Sequence, residues 1–170
     1  MRLRKVMSVI CAITMLVVPV ISCHGKKHKE EPKAKYIFLF IGDGMGVNQV
    51  QGTEMYLSEL KGEIGITPLR FTQFPYATIA TTYSATNGVT DSAAAGTALA
   101  TGKKTKNGAL GVTKDLREAN SIATWAKDNG CRVGVSTSVS IDHATPAAFY
   151  AHQGGRNSFY AIGLDLIKAD

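Results

Sequence analysis

Cysteine is scarce in this chain of 170 residues, which has only Cys11, Cys23 and Cys131. Cys11 lies in an apolar N-terminal segment, and Cys23 directly follows that segment. Cys131 is therefore the single cysteine of the remaining sequence. A single cysteine excludes an internal disulfide and any cysteine-based metal or redox motif in that part of the chain. Cys131 opens an apolar segment, and we expect it to be buried as a small hydrophobic residue.

An excess of charge is also absent from most of the chain. The formal net charge is +6, but residues 1–22 carry +3 and residues 23–35 another +3. Residues 36–170 hold eleven Lys and Arg against eleven Asp and Glu, so they are electrically balanced. This balance gives no support for a basic face on the fold and argues against nucleic acid as a partner. The apolar fraction of 45% is too high for an intrinsically disordered chain.

The sequence has no hydrophobic run long enough to predict a membrane-spanning helix, which needs about 20 apolar residues. The run Val6–Ile21 is shorter and follows the basic start MRLRK, so residues 1–22 are predicted to be a secretory signal peptide. Ser22-Cys23 resembles the lipobox of bacterial lipoproteins. It predicts lipidation of Cys23, a polar tether over residues 23–35, and a periplasmic protein of the cell envelope with a lipid anchor in a membrane. The alternative is an ordinary signal peptide in which Cys23 has no role.

Residues 36–170 alternate between two kinds of segment. Apolar runs at 36–41, 76–82 and 131–137 predict buried strands. Helices are predicted from Val47 onwards, over 92–101 and 121–129, from Pro146, and near the C-terminus. The expected caps are Thr90 or Asp91, Asn120 and Thr145 at helix starts, with Gly102 and Gly130 at helix ends. The pattern predicts an α/β fold with a mainly parallel sheet flanked by helices.

Asp43 follows the first predicted strand in the sequence GDGMG. Ligands of parallel sheets bind beyond the carboxyl ends of the strands, and flanking glycines allow close approach to the carboxylate. Asp43 is therefore a candidate metal ligand. The competing interpretation is a Gly/Asp turn that binds nothing.

Asp91 and Ser92 begin an alanine-rich predicted helix. Free N–H groups and the helix dipole favour an anion at that end, where the Ser92 hydroxyl could meet a bound phosphate. Close helix packing, with Asp91-Ser92 serving only as a cap, explains the same residues. No Gly-x-Ser-x-Gly elbow is present.

Three further candidates follow in HATPAAFYAHQGGR. The Thr145 hydroxyl could cap a helix or face a metal ion, and His143 lies two residues before it. Arg156 follows a Gly-Gly bend from which a guanidinium could hold phosphate with two hydrogen bonds. A surface ion pair is the alternative for Arg156.

Taken together and in order, these motifs closely resemble alkaline phosphatase. The resemblance rests on GDGMG after an apolar strand, on VTDSAAAGTALATGKKTKNGALGV, and on HATPAAFYAH followed by an arginine. It implies an alkaline-phosphatase-like fold. It also implies that Ser92 is the nucleophile, which forms a phosphoseryl intermediate, that Arg156 clamps the phosphate, and that Asp91 orients Arg156.

The resemblance further implies two Zn²⁺ and one Mg²⁺ as cofactors. Asp43 matches the carboxylate that bridges one zinc and the magnesium, and Thr145 matches a magnesium ligand. Ser92 matches a zinc-bound serine, and His143 would lie beside the magnesium without coordinating it. The implied partners are small phosphate monoesters and inorganic phosphate, with a homodimer allowed for the full-length enzyme.

Most of the family's zinc ligands have no counterpart in this sequence, which has no His or Glu after Arg156. We therefore expect residues 36–170 to be the N-terminal part of an alkaline phosphatase domain, incomplete at the C-terminus and inactive alone. A second hypothesis is a truncated lipoprotein that binds phosphate or a partner without catalysis. A third is a related phosphodiesterase or sulfatase, although Ser92-Ala-Ala-Ala-Gly lacks the Cys/Ser-x-Pro-x-Arg pattern of sulfatases.

Overall fold

The computed structural model describes residues 34–169. The predicted signal peptide, Cys23 and nearly all of the predicted tether lie outside these residues. The chain divides into two compact units, residues 1–39 and 40–170. The described part of the first unit, residues 34–39, contains no helix or strand, and its side chains are exposed. All helices of the described residues lie in the second unit.

Helices make up the regular structure of the second unit. They are α1 (Val47–Glu59), a 3₁₀ turn (Phe71–Gln73), α2 (Ser92–Thr101), α3 (Ile122–Asp128), the single turn α4 (Ala144–Ala147) and α5 (Phe159–Ala169). These elements confirm the five predicted helices, except that α4 begins at Ala144, two residues before the predicted start at Pro146. Among the described residues, no helix is both long enough and apolar enough to cross a membrane.

The helix ends confirm two predicted caps and correct two others. Asp91 caps α2 by accepting a hydrogen bond from the Ala94 amide, and Gly102 ends that helix with a φ of 67°. Ser121 rather than Asn120 caps α3. The helix begins at Ile122, and the Ser121 hydroxyl accepts a hydrogen bond from the Thr124 amide. Thr145 does not cap α4, which begins at Ala144, one residue before it. Its hydroxyl is directed elsewhere.

The three predicted strands do not form a sheet within the described residues. The secondary structure of residues 34–169 contains no strand, only isolated bridges between Leu110 and Gln153 and between Val112 and Glu118. Side chains of the apolar runs face solvent: Phe40 is 89% exposed, Tyr76 91% and Ile79 86%. A parallel strand is stable when neighbouring strands and covering helices bury both of its faces. No described segment provides that burial for these runs.

Cys131 is exposed, so the prediction that it is buried was wrong. Gly130 turns the chain out of α3 with a φ of 80°. The apolar run that Cys131 opens then stays exposed, with Val133 44% and Val135 37% accessible. Its burial depended on a sheet that the described residues do not form.

The core is built mainly from small side chains where α2 packs against α4. Its buried members include Ala93, Ala100, Leu110, Ala144, Ala147, Ala148, Ala151 and Ile162. A Cβ added to Gly96 would lie 3.2 Å from Ala148 Cβ and 3.4 Å from Thr145 Cα. The absence of a side chain at Gly96 thus allows the two helices to approach closely, which brings Thr145 near the start of α2.

Residues 109–112 lie between α2 and the segment that precedes α5. The hydroxyl of fully buried Thr97 donates to Ala109 O (3.3 Å) and accepts from Gly111 N (3.0 Å). On the other side, Leu110 and Gln153 exchange two backbone hydrogen bonds of 2.8 and 2.9 Å. Gly111 has a φ of 56°, and a Cβ there would lie 1.9 Å from Ala151 O. This crossing tolerates only glycine at that position.

Substitution of two glycines should therefore have opposite effects on stability. Gly111→Ala combines a positive φ with a backbone clash, so we expect it to lower the free energy of unfolding by about 3 kcal/mol or more. Gly163→Ala is the control, since Gly163 lies within α5 and an added Cβ would meet nothing within 4 Å. It should raise stability by about 0.5–1 kcal/mol because alanine favours a helix. Urea unfolding measures both changes, and a Gly111→Ala variant as stable as wild type would contradict this packing.

Candidate active site

Asp43 lies in an exposed turn before α1, and its carboxylate joins three segments of the second unit. Oδ1 accepts a hydrogen bond from Ser92 Oγ (3.3 Å), and Oδ2 accepts one from Thr145 Oγ1 (2.8 Å). The hydroxyls come from residues 49 and 102 positions away. The structure thus brings together three residues that the sequence singled out separately.

Ser92 is the first residue of α2, and its position follows from the cap beside it. Asp91 has an extended backbone (φ −114°, ψ 175°) and accepts the Ala94 amide, so the helix begins at Ser92. The start of a helix carries free N–H groups and the positive end of the dipole, both of which favour a bound anion. The Ser92 hydroxyl therefore lies where an anionic ligand is favoured.

The Asp91 carboxylate accepts hydrogen bonds from three different parts of the chain. Ala94 N donates to Oδ1 (2.9 Å), while Gly108 N (3.0 Å) and Arg156 Nη1 (3.2 Å) donate to Oδ2. The Asp91 and Arg156 side chains are only 24% and 29% exposed, so water screens this ion pair less than a surface pair. Asp91 thereby fixes the guanidinium next to the helix that carries Ser92. The contribution of Gly108 was not foreseen, since a backbone donor leaves no signal in the residue type.

His143 lies on the other side of the Arg156 guanidinium. Its Nε2 is 3.5 Å from Arg156 Nη2. Its Nδ1 is buried and has no hydrogen-bond partner among the described residues. A neutral imidazole has one donor and one acceptor nitrogen, so Nε2 can accept from the guanidinium when Nδ1 carries the proton.

A cavity of about 490 Å³ opens where these residues meet. Its lining comprises Ile41, Gly42, Asp43, Gly44, Met45, Gly46, Thr82, Thr90, Asp91, Ser92, Ala95, Gly96, Leu99, Thr145 and Arg156. Five of the six predicted site residues line it, and His143 contacts it only through Arg156. The cavity therefore presents hydroxyl, guanidinium and carboxylate groups to one ligand.

The donor atoms in this cavity fit a hard cation better than a zinc ion. Asp43, Thr145 and Ser92 present carboxylate and hydroxyl oxygens, the ligands that Mg²⁺ prefers. Zinc is normally held by three or four protein ligands rich in His, Cys or carboxylate. Within residues 34–169 no group of three or more such side chains lies close enough to hold a metal ion. The described residues thus fit part of the implied metal set.

Comparison with known proteins identifies the relatives of the chain. The family model described as alkaline phosphatase matches residues 34–164. The tissue-nonspecific alkaline phosphatase of Gallus gallus is 39% identical over 158 residues, which are 84% of this chain and 30% of the chicken protein. Alkaline phosphatase 3 of Bacillus subtilis (strain 168) is 37% identical over 150 residues, 87% of this chain and 32% of that protein.

Solved structures give the same result. A cold-active alkaline phosphatase from Shewanella sp. matches with a TM-score of 0.70 and 38% identity, covering 76% of this chain and 33% of that one. The enzyme of the Antarctic bacterium TAB5 matches with a TM-score of 0.63 and 38% identity, covering 75% and 35%. A histidine-to-glutamate variant of that enzyme, at 37% identity, has Mg bound in its M3 site.

These relatives are all alkaline phosphatases, and the chain resembles part of their fold. The chain belongs to the alkaline phosphatase family. The chain spans about a third of the length of the relatives that it matches.

The Asp91–Arg156 ion pair should appear as an energetic coupling in stability measurements. Asp91→Ala removes the cap of α2 and should cost about 1–2 kcal/mol. Because Arg156 shares the same carboxylate, we expect Asp91→Ala and Arg156→Ala to be non-additive by about 1 kcal/mol. Urea unfolding of the two single variants and the double variant measures this coupling. Arg117→Ala, which removes an 80% exposed side chain, should add to Asp91→Ala without coupling.

Proposed function

We propose that this chain supplies the nucleophile side of an alkaline phosphatase active site, which hydrolyses phosphate monoesters through a phosphoserine at Ser92. One observation carries the proposal: the Asp43 carboxylate holds the hydroxyls of Ser92 and Thr145 in the cavity that Arg156 also lines. A cap alone would explain Asp91 and Ser92, but it would not bring Asp43 and Arg156 to the same cavity.

The reaction divides into two displacements. The Ser92 oxygen attacks phosphorus, forming an Oγ–P bond as the bond to the ester oxygen breaks. The serine proton leaves with that oxygen, so the first product is the alcohol. Water then attacks the phosphoserine and releases inorganic phosphate, which restores the Ser92 hydroxyl. Splitting one slow hydrolysis into two easier steps is the general advantage of a covalent intermediate.

Arg156 and the start of α2 hold the phosphoryl group during both steps. The guanidinium can donate two parallel hydrogen bonds to phosphoryl oxygens, and the amides of the first helical turn complement the same charge. Asp91 holds one edge of the guanidinium at 3.2 Å and thereby keeps the group directed towards Ser92. Donors fixed before the reaction stabilise charge that develops in the transition state.

We propose Asp43 and Thr145 as ligands of a magnesium ion, Asp43 and Ser92 as ligands of zinc, and His143 as a neighbour of the magnesium site. Bound cations of this kind supply Lewis-acid stabilisation of charge on the serine, ester and phosphoryl oxygens. The oxygen donors around Asp43 support the magnesium assignment. Two zinc ions need further ligands, which the described residues do not contain.

We also propose that additional polypeptide completes the fold and the metal sites. The apolar runs 36–41, 76–82 and 131–137 would then be strands of a mainly parallel sheet. Their exposure supports this, because folded proteins usually bury large apolar side chains. The relatives, which are about three times as long, have the extra residues that such a sheet requires. A homodimer of the longer enzyme remains a prediction of the family resemblance.

By itself the chain should therefore bind phosphate and hydrolyse esters only slowly. A non-catalytic phosphate-binding protein is the second candidate, and the incomplete metal set favours it. The two candidates share the phosphate site around Arg156 but differ in whether Ser92 reacts. Binding and turnover must therefore be measured separately.

Binding of inorganic phosphate to the full chain in the presence of Mg²⁺ tests the shared site. Arg156→Ala should weaken binding by about tenfold or more, because it removes a charged donor pair. Arg117→Ala removes an arginine that is paired with Asp115 on the surface and should leave the affinity unchanged. Isothermal titration calorimetry measures both. Equal affinities for the two variants would contradict a phosphate site at Arg156.

Turnover of p-nitrophenyl phosphate with Zn²⁺ and Mg²⁺ then separates the two candidates. Slow hydrolysis that Ser92→Ala abolishes supports the enzyme, and phosphate binding with no Ser92-dependent turnover supports the binding protein. Fast, zinc-dependent turnover by this chain would contradict the proposed incompleteness. Faster hydrolysis of bis-p-nitrophenyl phosphate than of the monoester would instead indicate a phosphodiesterase.

We further propose that the chain is exported to the bacterial cell envelope and attached to a membrane through a lipid on Cys23. The basic start, the apolar run and Ser22-Cys23 support this proposal. Labelling with a radioactive or clickable fatty acid should modify the wild-type chain, and Cys23→Ser should lose the label. Cys131→Ser, which changes an exposed cysteine far along the chain, is the control and should keep it. A labelled Cys23→Ser variant would contradict lipidation at this residue.

A further inference from the structure

The loop that carries Arg156 needs an external constraint. Gly154 and Gly155 precede the arginine, and glycine allows more backbone conformations than any other residue. The arginine side chain itself has several rotatable bonds whose freedom is lost on ordering. The Asp91 contact restrains the guanidinium, but it does not restrain the backbone from which the side chain extends.

Asp165 provides such a constraint from the helix that follows the loop. Its Oδ2 accepts hydrogen bonds from His152 N (3.1 Å) and Gln153 Nε2 (2.6 Å). Asp165 lies on α5, after Arg156, whereas His152 and Gln153 come before it. One carboxylate oxygen therefore closes the loop between residues 153 and 165, and Arg156 lies inside the closed loop.

The residues that Asp165 holds are also fixed from the opposite side. Gln153 exchanges two backbone hydrogen bonds with Leu110, and His152 Nδ1 lies 2.7 Å from Gly111 O. Residues 109–112 are attached in turn to α2 through buried Thr97. A continuous set of hydrogen bonds thus connects the helix that begins at Ser92 with the start of the loop that carries Arg156.

We propose that Asp165 is a positioning residue for the backbone of Arg156: by closing the 153–165 loop against residues 109–112, it keeps the arginine where its guanidinium reaches Asp91 beside Ser92. This role rests on the proposed function of Arg156 as a phosphate ligand. Asp165 does not line the cavity, so it acts only through the loop.

A solvated acid on a helix surface would be the simpler explanation for Asp165, but its environment argues against it. The Asp165 side chain is only 13% exposed. Its ion-pair partner Lys168, whose Nζ lies 3.4 Å from Oδ1, is 75% exposed. Although burial by itself would raise the pKa of Asp165, the hydrogen bonds from Gln153 and His152 and the charge of Lys168 hold it below its usual range. Burial, with the charges of Asp142 and Asp165, also raises the pKa of the Tyr150 hydroxyl to about 12. The ionised Asp165 carboxylate is a strong acceptor for its two loop donors, His152 N and Gln153 Nε2.

Three variants of the full chain separate positioning from general stability. Asp165→Ala removes the acceptor, Asp165→Asn keeps an oxygen that can accept the same donors, and Lys168→Ala removes only the exposed partner of the carboxylate. Three readouts apply to each variant. They are amide hydrogen exchange, the NMR signal of the Arg156 Nε–H, assigned by its loss in Arg156→Lys, and the affinity for inorganic phosphate with Mg²⁺.

Asp165→Ala should speed exchange of the His152 and Gln153 amides by about tenfold and weaken phosphate binding by a similar factor, as expected for a lost hydrogen bond to a charged group. It should also broaden the Arg156 signal while exchange in α1 stays as in wild type. Asp165→Asn should recover most of the affinity, and Lys168→Ala should match wild type. A uniform rise in exchange across α1 and α5 would show a purely structural role and overturn the proposal.

Two other outcomes would also overturn it. One is an Asp165→Ala variant whose Arg156 signal is unchanged. The other is an Asp165→Asn variant as impaired as Asp165→Ala, since the acceptor oxygen would then have no effect. Absence of phosphate binding by the wild-type chain would refute the proposed function instead, and the exchange and NMR readouts would still decide the role of Asp165.

Discussion

The arrangement of the site depends on the Asp91 carboxylate. One oxygen caps α2, and the other accepts hydrogen bonds from both Gly108 N and Arg156 Nη1. The same group thus decides where the helix that carries Ser92 begins and where the guanidinium lies relative to it. A carboxylate can do this because it has several acceptor positions and no donor, and because partial burial strengthens its hydrogen bonds. The proposed functions of Ser92 and Arg156 both require this geometry.

Close packing of small residues adds the second half of the site. Gly96 and the alanines around it allow α4 to approach α2, which places the Thr145 hydroxyl beside Asp43. Single-turn helices are not stable alone, so α4 depends on this contact. The buried segment that follows α4 lies against Gly111, where only glycine fits. The core of the described residues therefore serves mainly to bring distant hydroxyl, carboxylate and guanidinium groups together.

Three apolar runs lie outside this core, and their side chains are exposed in the described residues. Phe40, Tyr76 and Ile79 lie in runs whose apolar composition is typical of buried strands. Their side chains nevertheless face solvent. The matched relatives are about three times longer than the chain. The hydrogen bonds around Asp43 and Asp91 form without a sheet, because they join the starts of α2 and α4 to nearby turns and loops. The local geometry at the site therefore does not depend on the predicted sheet.

The sequence alone predicted five helices and the Asp91 and Gly102 caps, because periodicity and capping are local properties. Its motifs, through their resemblance to a family, named the six candidate site residues. It also predicted the family, which the comparisons confirmed, since the motifs around Ser92 are specific. Only the tertiary structure decided that Thr145 turns to Asp43 instead of capping α4 and that Cys131 is exposed. It also decided that Gly108 donates to Asp91 and that His152 donates to Asp165. Those outcomes depend on groups up to 102 positions apart. Burial and hydrogen-bond partners at such separations follow from packing, which no local pattern records.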